Sequence, residues 1–193
     1  MAADSFDRDP PPARAATVIA SRVDPEHPKR PLPPVALTAK PVGDAIQTLL
    51  GFESPGAPVV SVYWSVPEDP GRLKGAKSGL HDLVRAVRER ADSHDLRHAD
   101  RASLRADAGR ILELEELVPA LQGRTVALFR CSQRDFEEAV VLPGWVRDRI
   151  ALDATPYLRP LLAVLDEAHR YAVVIVDREH GRLFEFYLGV LEA

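Results

Sequence analysis

Pro156-Tyr157-Leu158-Arg159-Pro160-Leu161-Leu162-Ala163-Val164-Leu165-Asp166-Glu167 leads into Tyr171-Ala172-Val173-Val174-Ile175-Val176-Asp177-Arg178-Glu179-His180-Gly181-Arg182-Leu183-Phe184-Glu185-Phe186-Tyr187-Leu188-Gly189. The reading of this stretch decides the fold. It predicts a short helix from Leu158 to Ala168, a strand, a tight turn and a second strand. Val173 to Val176 is an unbroken apolar run, the pattern of a strand covered on both faces. On its partner Phe184, Phe186 and Leu188 alternate, with Leu183 and Tyr187 on the opposite side. An isolated hairpin of this kind is marginal in water and leaves an edge open to pairing.

Upstream, Val59-Val60-Ser61-Val62-Tyr63-Trp64 carries the β-branched and aromatic residues of a strand. A short amphipathic helix, Val42 to Leu50, precedes it, and Pro67, Pro70 and Gly71 end it. Leu73, Ala76, Leu80, Leu83, Val84, Val87 and Ala91 recur at helical spacing, so Lys74 to Asp92 is a helix with one buried stripe. Leu104, Ala108, Ile111, Leu112 and Leu114 repeat the pattern over Arg101 to Leu117. Arg124–Arg130 and Phe136–Leu142 form a hairpin across Ser132-Gln133-Arg134-Asp135, and Arg147 to Leu152 adds a third strand. One strand, two helices and three strands imply an α+β fold: a largely antiparallel sheet with helices packed on one face.

Nine of the 17 prolines fall within the first 41 residues. Each removes a backbone donor and disfavours helix before it. Residues 1–40 are therefore expected to be a disordered, proline-rich tail that is dispensable for folding. Pro31-Leu32-Pro33-Pro34 also fits a ligand for a polyproline-reading domain. The domain division that follows is 1–40 tail, 41–168 α+β domain and 169–193 hairpin.

The bulk composition is that of a soluble globular chain, with 46% hydrophobic and 28% charged residues. A net charge of -4 gives no global attraction to nucleic acid, so RNA contact requires a local basic patch. No run is long and apolar enough to span a bilayer, and Asp4, Asp7 and Asp9 stand where a signal peptide would be cationic. Cys131 is the lone cysteine, which fits a reducing cytoplasm. The expectation is a cytoplasmic protein with neither membrane nor DNA as partner.

Several stretches imitate chemical motifs. Gly71-Arg72-Leu73-Lys74-Gly75-Ala76-Lys77-Ser78-Gly79 lacks the glycine spacing of a phosphate-binding loop, and the helical stripe already runs through it. His94 and His98 stand four apart but have no companion ligands. His81, His169 and His180 have no serine or cysteine with a triad logic beside them. Cys131 is read as a small, partly buried side chain at a strand end, with only Arg130 to stabilise a thiolate. No catalytic residue, metal site or cofactor is expected. What remains is electrostatic: Arg72, Lys74, Lys77, Arg85 and Arg88 on or just before the polar side of the first long helix, continued by Arg97, Arg101, Arg105 and Arg110. These fit either a solvated face, interleaved with Asp82, Glu89, Asp92 and Asp107, or a surface that tracks the phosphates of structured RNA.

The C-terminal stretch resembles the joint between the first two domains of the bacterial relatives of archaeal–eukaryotic class I peptide-chain release factors. Pro156-Tyr157-Leu158-Arg159-Pro160-Leu161-Leu162, the segment Val174 to Glu179 and Tyr187-Leu188-Gly189 carry the likeness. Val59 to Tyr63, Gly123 to Phe129 and Val146-Arg147-Asp148-Arg149 extend it. The resemblance implies a first domain on the decoding side of the ribosomal A site and a second that presents a Gly-Gly-Gln loop for peptidyl-tRNA hydrolysis. Gly-Gly-Gln and the stop-codon-reading Asn-Ile-Lys-Ser are both absent from this sequence. The expectation is a non-catalytic, ribosome-associated release- or rescue-factor-like domain. It would bind the ribosome or tRNA through Arg72, Lys74, Lys77, Arg85 and Arg88, carry the start of a truncated second domain, and self-associate through the hairpin. The rivals are a small hydrolase with a cleft near His81 or His169, and a protein-interaction module without RNA contact.

Overall fold

Every residue of the strand Val59–Val66 (β3) is buried, because the sheet is covered on both sides where it runs. In a computed structural model of the chain, the described residues are 16–23, 31–40, 42–167, 171–176, 180–187 and 190–191. β3 pairs antiparallel with Arg124–Cys131 (β4) on one side and with Arg149–Asp153 (β6) on the other. β4 pairs antiparallel with Phe136–Pro143 (β5) across a short 3-10 turn at Ser132–Arg134. Asp135 closes that turn in the left-handed region at φ 49°, where an Asp side chain is among the better tolerated.

The alternation of β3 distributes its side chains between two cores. Val60, Val62, Trp64 and Val66 face the helices Leu73–Ala91 (α2) and His98–Leu112 (α3), meeting Leu80, Val84, Val87, Leu104, Ala108 and Ile111. The indole of Trp64 donates to the Ala76 carbonyl at 2.9 Å, which satisfies its buried N–H. Tyr63 faces the other way, with Ala127, Phe129, Val140 and Leu142, under Val42–Leu50 (α1) and Arg159–Glu167 (α5). The expectation of helices on one face is thus corrected to both. Both flanking short helices present apolar residues, Ala45, Ile46 and Leu49 from one and Leu161 from the other, and these cover what would otherwise be an exposed apolar face.

Pro156 and Tyr157 reach that second core by docking on β3. The Tyr157 amide donates to Ser61 Oγ at 2.9 Å, and the Tyr63 hydroxyl donates to the Tyr157 carbonyl at 2.7 Å. Burial pushes the Tyr63 phenol well above its ordinary pKa. After α3, a 3-10 segment Glu113–Leu117 and the one-turn helix Val118–Leu121 (α4) return the chain to β4.

Part of the stretch expected to be a disordered tail is paired. Ala16–Val23 (β1) and Pro31–Ala39 (β2) form an antiparallel ribbon, and Ala39 bridges Ala139 of β5 in parallel. The sheet order is β1-β2-β5-β4-β3-β6, largely antiparallel as expected. Leu37 and Ala39 are buried while Thr38 and Lys40 are exposed, a period of two that the prolines overshadow in the sequence. Pro33 and Pro34 fall at the register shift between Ala20 and Arg22, where the ladder loses the donors that proline lacks. The rest of that stretch, 1–15 and 24–30, lies outside the described residues.

Tyr171–Val176 (β7), Gly181–Tyr187 (β8) and Val190–Leu191 (β9) form a separate three-stranded antiparallel sheet. The two long strands agree with the expected hairpin, and β9 is additional. Val173, Val174, Ile175 and Val176 are exposed, as is Leu183.

Candidate RNA-binding surface

α2 carries the basic stripe because its buried stripe uses the other side of the same helix. Leu80, Val84, Val87 and Ala91 face the sheet, leaving Lys74, Lys77, His81, Arg85 and Arg88 to solvent at spacings of three and four. The structure divides the five expected RNA-binding residues. Arg72, at the end of the 3-10 turn Pro70–Arg72, and Lys74, in the first turn of α2, are exposed, as is Arg88. None of these three has an acidic partner among the described residues. Lys77 pairs with Glu115 at 3.1 Å, and Arg85 pairs with Asp82 at 2.8 Å. Two of the five cations are therefore partly neutralised within the chain.

Glu115 gathers two partners, since His81 Nε2 also lies 2.9 Å from its carboxylate. The His81 hydrogen bond, then Lys77, hold the Glu115 carboxyl below its ordinary pKa. His81 is exposed and held in this pair, and His169 lies outside the described residues. Among the described residues no group of three or more His, Cys, Asp or Glu side chains is placed to hold a metal. At α3 most arginines are spent internally, while Arg101 keeps a buried Nε without a hydrogen-bond partner among the described residues. Arg97 pairs with Asp100, Arg105 with Asp92, and Arg110 with Glu113 and Glu137.

Beneath α3 lies a buried polar network. Asp107 accepts from Arg130 Nε at 2.9 Å, from the Ser132 amide at 3.1 Å and from the Ser132 hydroxyl. Ser103 Oγ accepts from the Gln133 amide at 3.0 Å. Burial pushes the Asp107 carboxyl up, against the pull of Ser132 and Arg130. Burial also opposes ionisation of Glu137, yet Arg110 and Arg130 together hold its carboxyl below the ordinary value. The network staples α3 to the β4–β5 turn and holds Arg110 and Arg130 in ion pairs. Cys131 ends β4 and is fully buried rather than partly, against Ala57, Val59 and the stacked rings of Phe52 and Phe136.

Free cations collect instead at one end of the sheet. Val66 stands opposite Arg124, and Arg124 opposite Pro143, so the ends of β3, β4 and β5 coincide. The start of α2 lies at this end too, and a Cβ at Gly79 would stand 3.3 Å from Asp148 Oδ2. Arg124 and Arg147 are exposed here without acidic partners among the described residues, and Trp145, two residues before Arg147, is 75% exposed. The sequence reading missed this group. Its signal was available: a tryptophan just after Pro143-Gly144, with arginines two and four residues on, is out of place in a plain turn.

Residues 156–193 match a family model described as bacterial archaeo-eukaryotic release factor family 10. This segment is release-factor-like. The match takes in the docked Pro156-Tyr157 segment, α5 and the β7–β8–β9 sheet. No curated protein matches the sequence. A solved structure described as an archaeal protein is similar at 15% identity and a TM-score of 0.43; the likeness covers 75% of this chain and 40% of that one. The chain thus spans less than half the length of that protein.

Proposed function

We propose that this chain is a ribosome-associated, release- or rescue-factor-like domain that binds structured RNA, ribosomal or transfer, in the cytoplasm without catalysing hydrolysis itself. The observation that carries the reading is the release-factor-like segment 156–193, attached to a domain that offers Arg72, just before α2, and Lys74 and Arg88 on it, without acidic partners among the described residues. The sequence holds no Gly-Gly-Gln to promote peptidyl-tRNA hydrolysis, so binding is the activity assigned to these residues. Lys77 and Arg85 contribute once their pairs with Glu115 and Asp82 open, at a cost to affinity.

Co-sedimentation with ribosomes tests this. The full chain should pellet with ribosomes at low salt, with log affinity falling against log salt at a slope of about -2 to -3 for three phosphate contacts. Replacing Arg72, Lys74 and Arg88 together by glutamate should abolish pelleting, whereas Lys77→Glu alone should weaken it less. Undiminished binding by the triple variant would remove α2 from the interface.

A second reading draws on the exposed Val173–Val176 run: the β7 edge pairs with another copy of the chain. An edge strand that is apolar on both faces is a template for such pairing. Sedimentation velocity across a concentration series decides, and a monomer at every concentration would eliminate it.

A further inference from the structure

We infer that Trp145, with Arg124 and Arg147 beside it, is a stacking platform for an unpaired RNA base. This deepens the RNA-binding reading above and rests on it. The two tryptophans of the chain have opposite fates: Trp64 is fully buried and hydrogen-bonded, while Trp145 is 75% exposed. The loop that carries Trp145 is nevertheless rigidly held. The buried Thr125 hydroxyl donates to the Gly144 carbonyl at 2.8 Å and accepts from the Val146 amide at 3.0 Å. Ser65 Oγ bonds to both the amide and the carbonyl of Val146, and the Ser65 amide donates to Asp148 Oδ1 at 2.8 Å.

Residues 144, 146 and 148 are thus pinned to the sheet, and 145 and 147 are turned to solvent. A ring held out on a fixed backbone loses little freedom when a ligand stacks on it. Exposed arginines at this end of the sheet place positive charge where the phosphates flanking a stacked base would run, and the cationic start of α2 extends that track. A protein partner would call for contiguous apolar surface around the ring. Here the exposed residues beside it in the loop are Pro143, Gly144 and Arg147, with Arg124 opposite Pro143 in the ladder, so the exposed apolar surface there besides the ring is a single proline. Asp148 is the acidic residue nearest in sequence, and its carboxylate is occupied by the Ser65 amide at 2.8 Å. Glu68 lies near Gly123, and Asp69 accepts from the Gly71 amide at 2.9 Å.

The probe is a single-stranded oligouridylate of about ten nucleotides, within the usual footprint of such surfaces, compared with a blunt RNA duplex and intact ribosomes. Because Trp64 is buried, quenching of tryptophan emission reports on Trp145. Oligouridylate should quench the full chain. Trp145→Ala should weaken its binding by about 5- to 100-fold, Trp145→Phe should restore most of it, and duplex binding should be unaffected by either. Arg124→Glu with Arg147→Glu should flatten the salt dependence. Equal binding of oligouridylate by Trp145→Ala and the native chain overturns the inference and leaves the RNA-binding reading standing. Ribosome binding that Trp145→Ala abolishes, with no oligouridylate binding at all, would mean that the ring meets a ribosomal protein, and also overturns it. If the native chain binds neither RNA nor ribosomes, both readings fall.

Discussion

β3 and β7 are written in almost the same alphabet and end in opposite environments. Val59–Val66 and Tyr171–Val176 are both runs of β-branched and aromatic residues. β3 is buried along its whole length, whereas Val173 to Val176 face solvent on both sides of their sheet. The difference lies in what the neighbouring chain supplies. β3 has β4 and β6 at its edges, α2 and α3 on one face and α1 and α5 on the other. β7 has β8 on one side and, among the described residues, no helix over either face. An apolar strand therefore states a demand for cover, and the surrounding elements decide whether the demand is met.

The sharpest way to break this comparison is to truncate one side chain in each strand. Trp64→Ala should cost about 3–5 kcal/mol, since it empties a packed site and removes the bond to Ala76, while Ile175→Ala should change stability by less than about 0.5 kcal/mol. Chemical denaturation of both variants reads the contrast, and comparable losses would mean that β7 is covered in solution. Leu37→Ala comes next, at about 2–3 kcal/mol. A chain beginning at Pro41 should lose at least as much, because it also strips Lys40 from the buried carboxylate of Glu138. Unchanged melting of that chain would return the ribbon to the dispensable tail expected from its prolines.

Glu137→Gln should cost about 1–3 kcal/mol at neutral pH by leaving Arg110 and Arg130 without their shared anion. Because the folded protein holds this carboxyl below its ordinary value of 4.5, its contribution is present above that value and is lost as pH falls through the folded one. Native chain and variant should converge in stability in acid, and a gap of constant size from neutral to acid pH would show that the ionised form is not what matters. Smallest in stability but informative, Val174→Lys should leave the melting temperature within about 1–2 degrees. The same change should suppress any concentration-dependent association. Hydrogen exchange across Tyr171 to Val176 sharpens the same point: protection matching β3 in a demonstrated monomer would contradict the exposed sheet.

The elements were mostly legible because each writes its own period. α2 and its buried stripe, the β4–β5 hairpin and the β7–β8 pair follow from the positions of their apolar residues. The ribbon β1–β2 was not legible in the same way. Leu37-Thr38-Ala39-Lys40 alternates for only four residues, and the prolines before it argue for an unpaired chain until a bulge absorbs them. The candidate site was half visible. The stripe Lys74, Lys77, Arg85 and Arg88 is a helical spacing, and the pairing of Arg85 with Asp82 is a spacing too. The capture of Lys77 by Glu115, from 38 residues away in the chain, is not.

Local order thus came from composition and period: strand by β-branching, helix by apolar recurrence, turn by Gly, Pro and Asp. Which of two equally apolar strands is buried, which arginines stay free, and which tryptophan faces water came from long-range contacts. The physical reason is the range of the forces. Propensity acts within a turn or a strand, whereas burial and charge pairing depend on residues that only the folded chain brings within a few ångströms of one another.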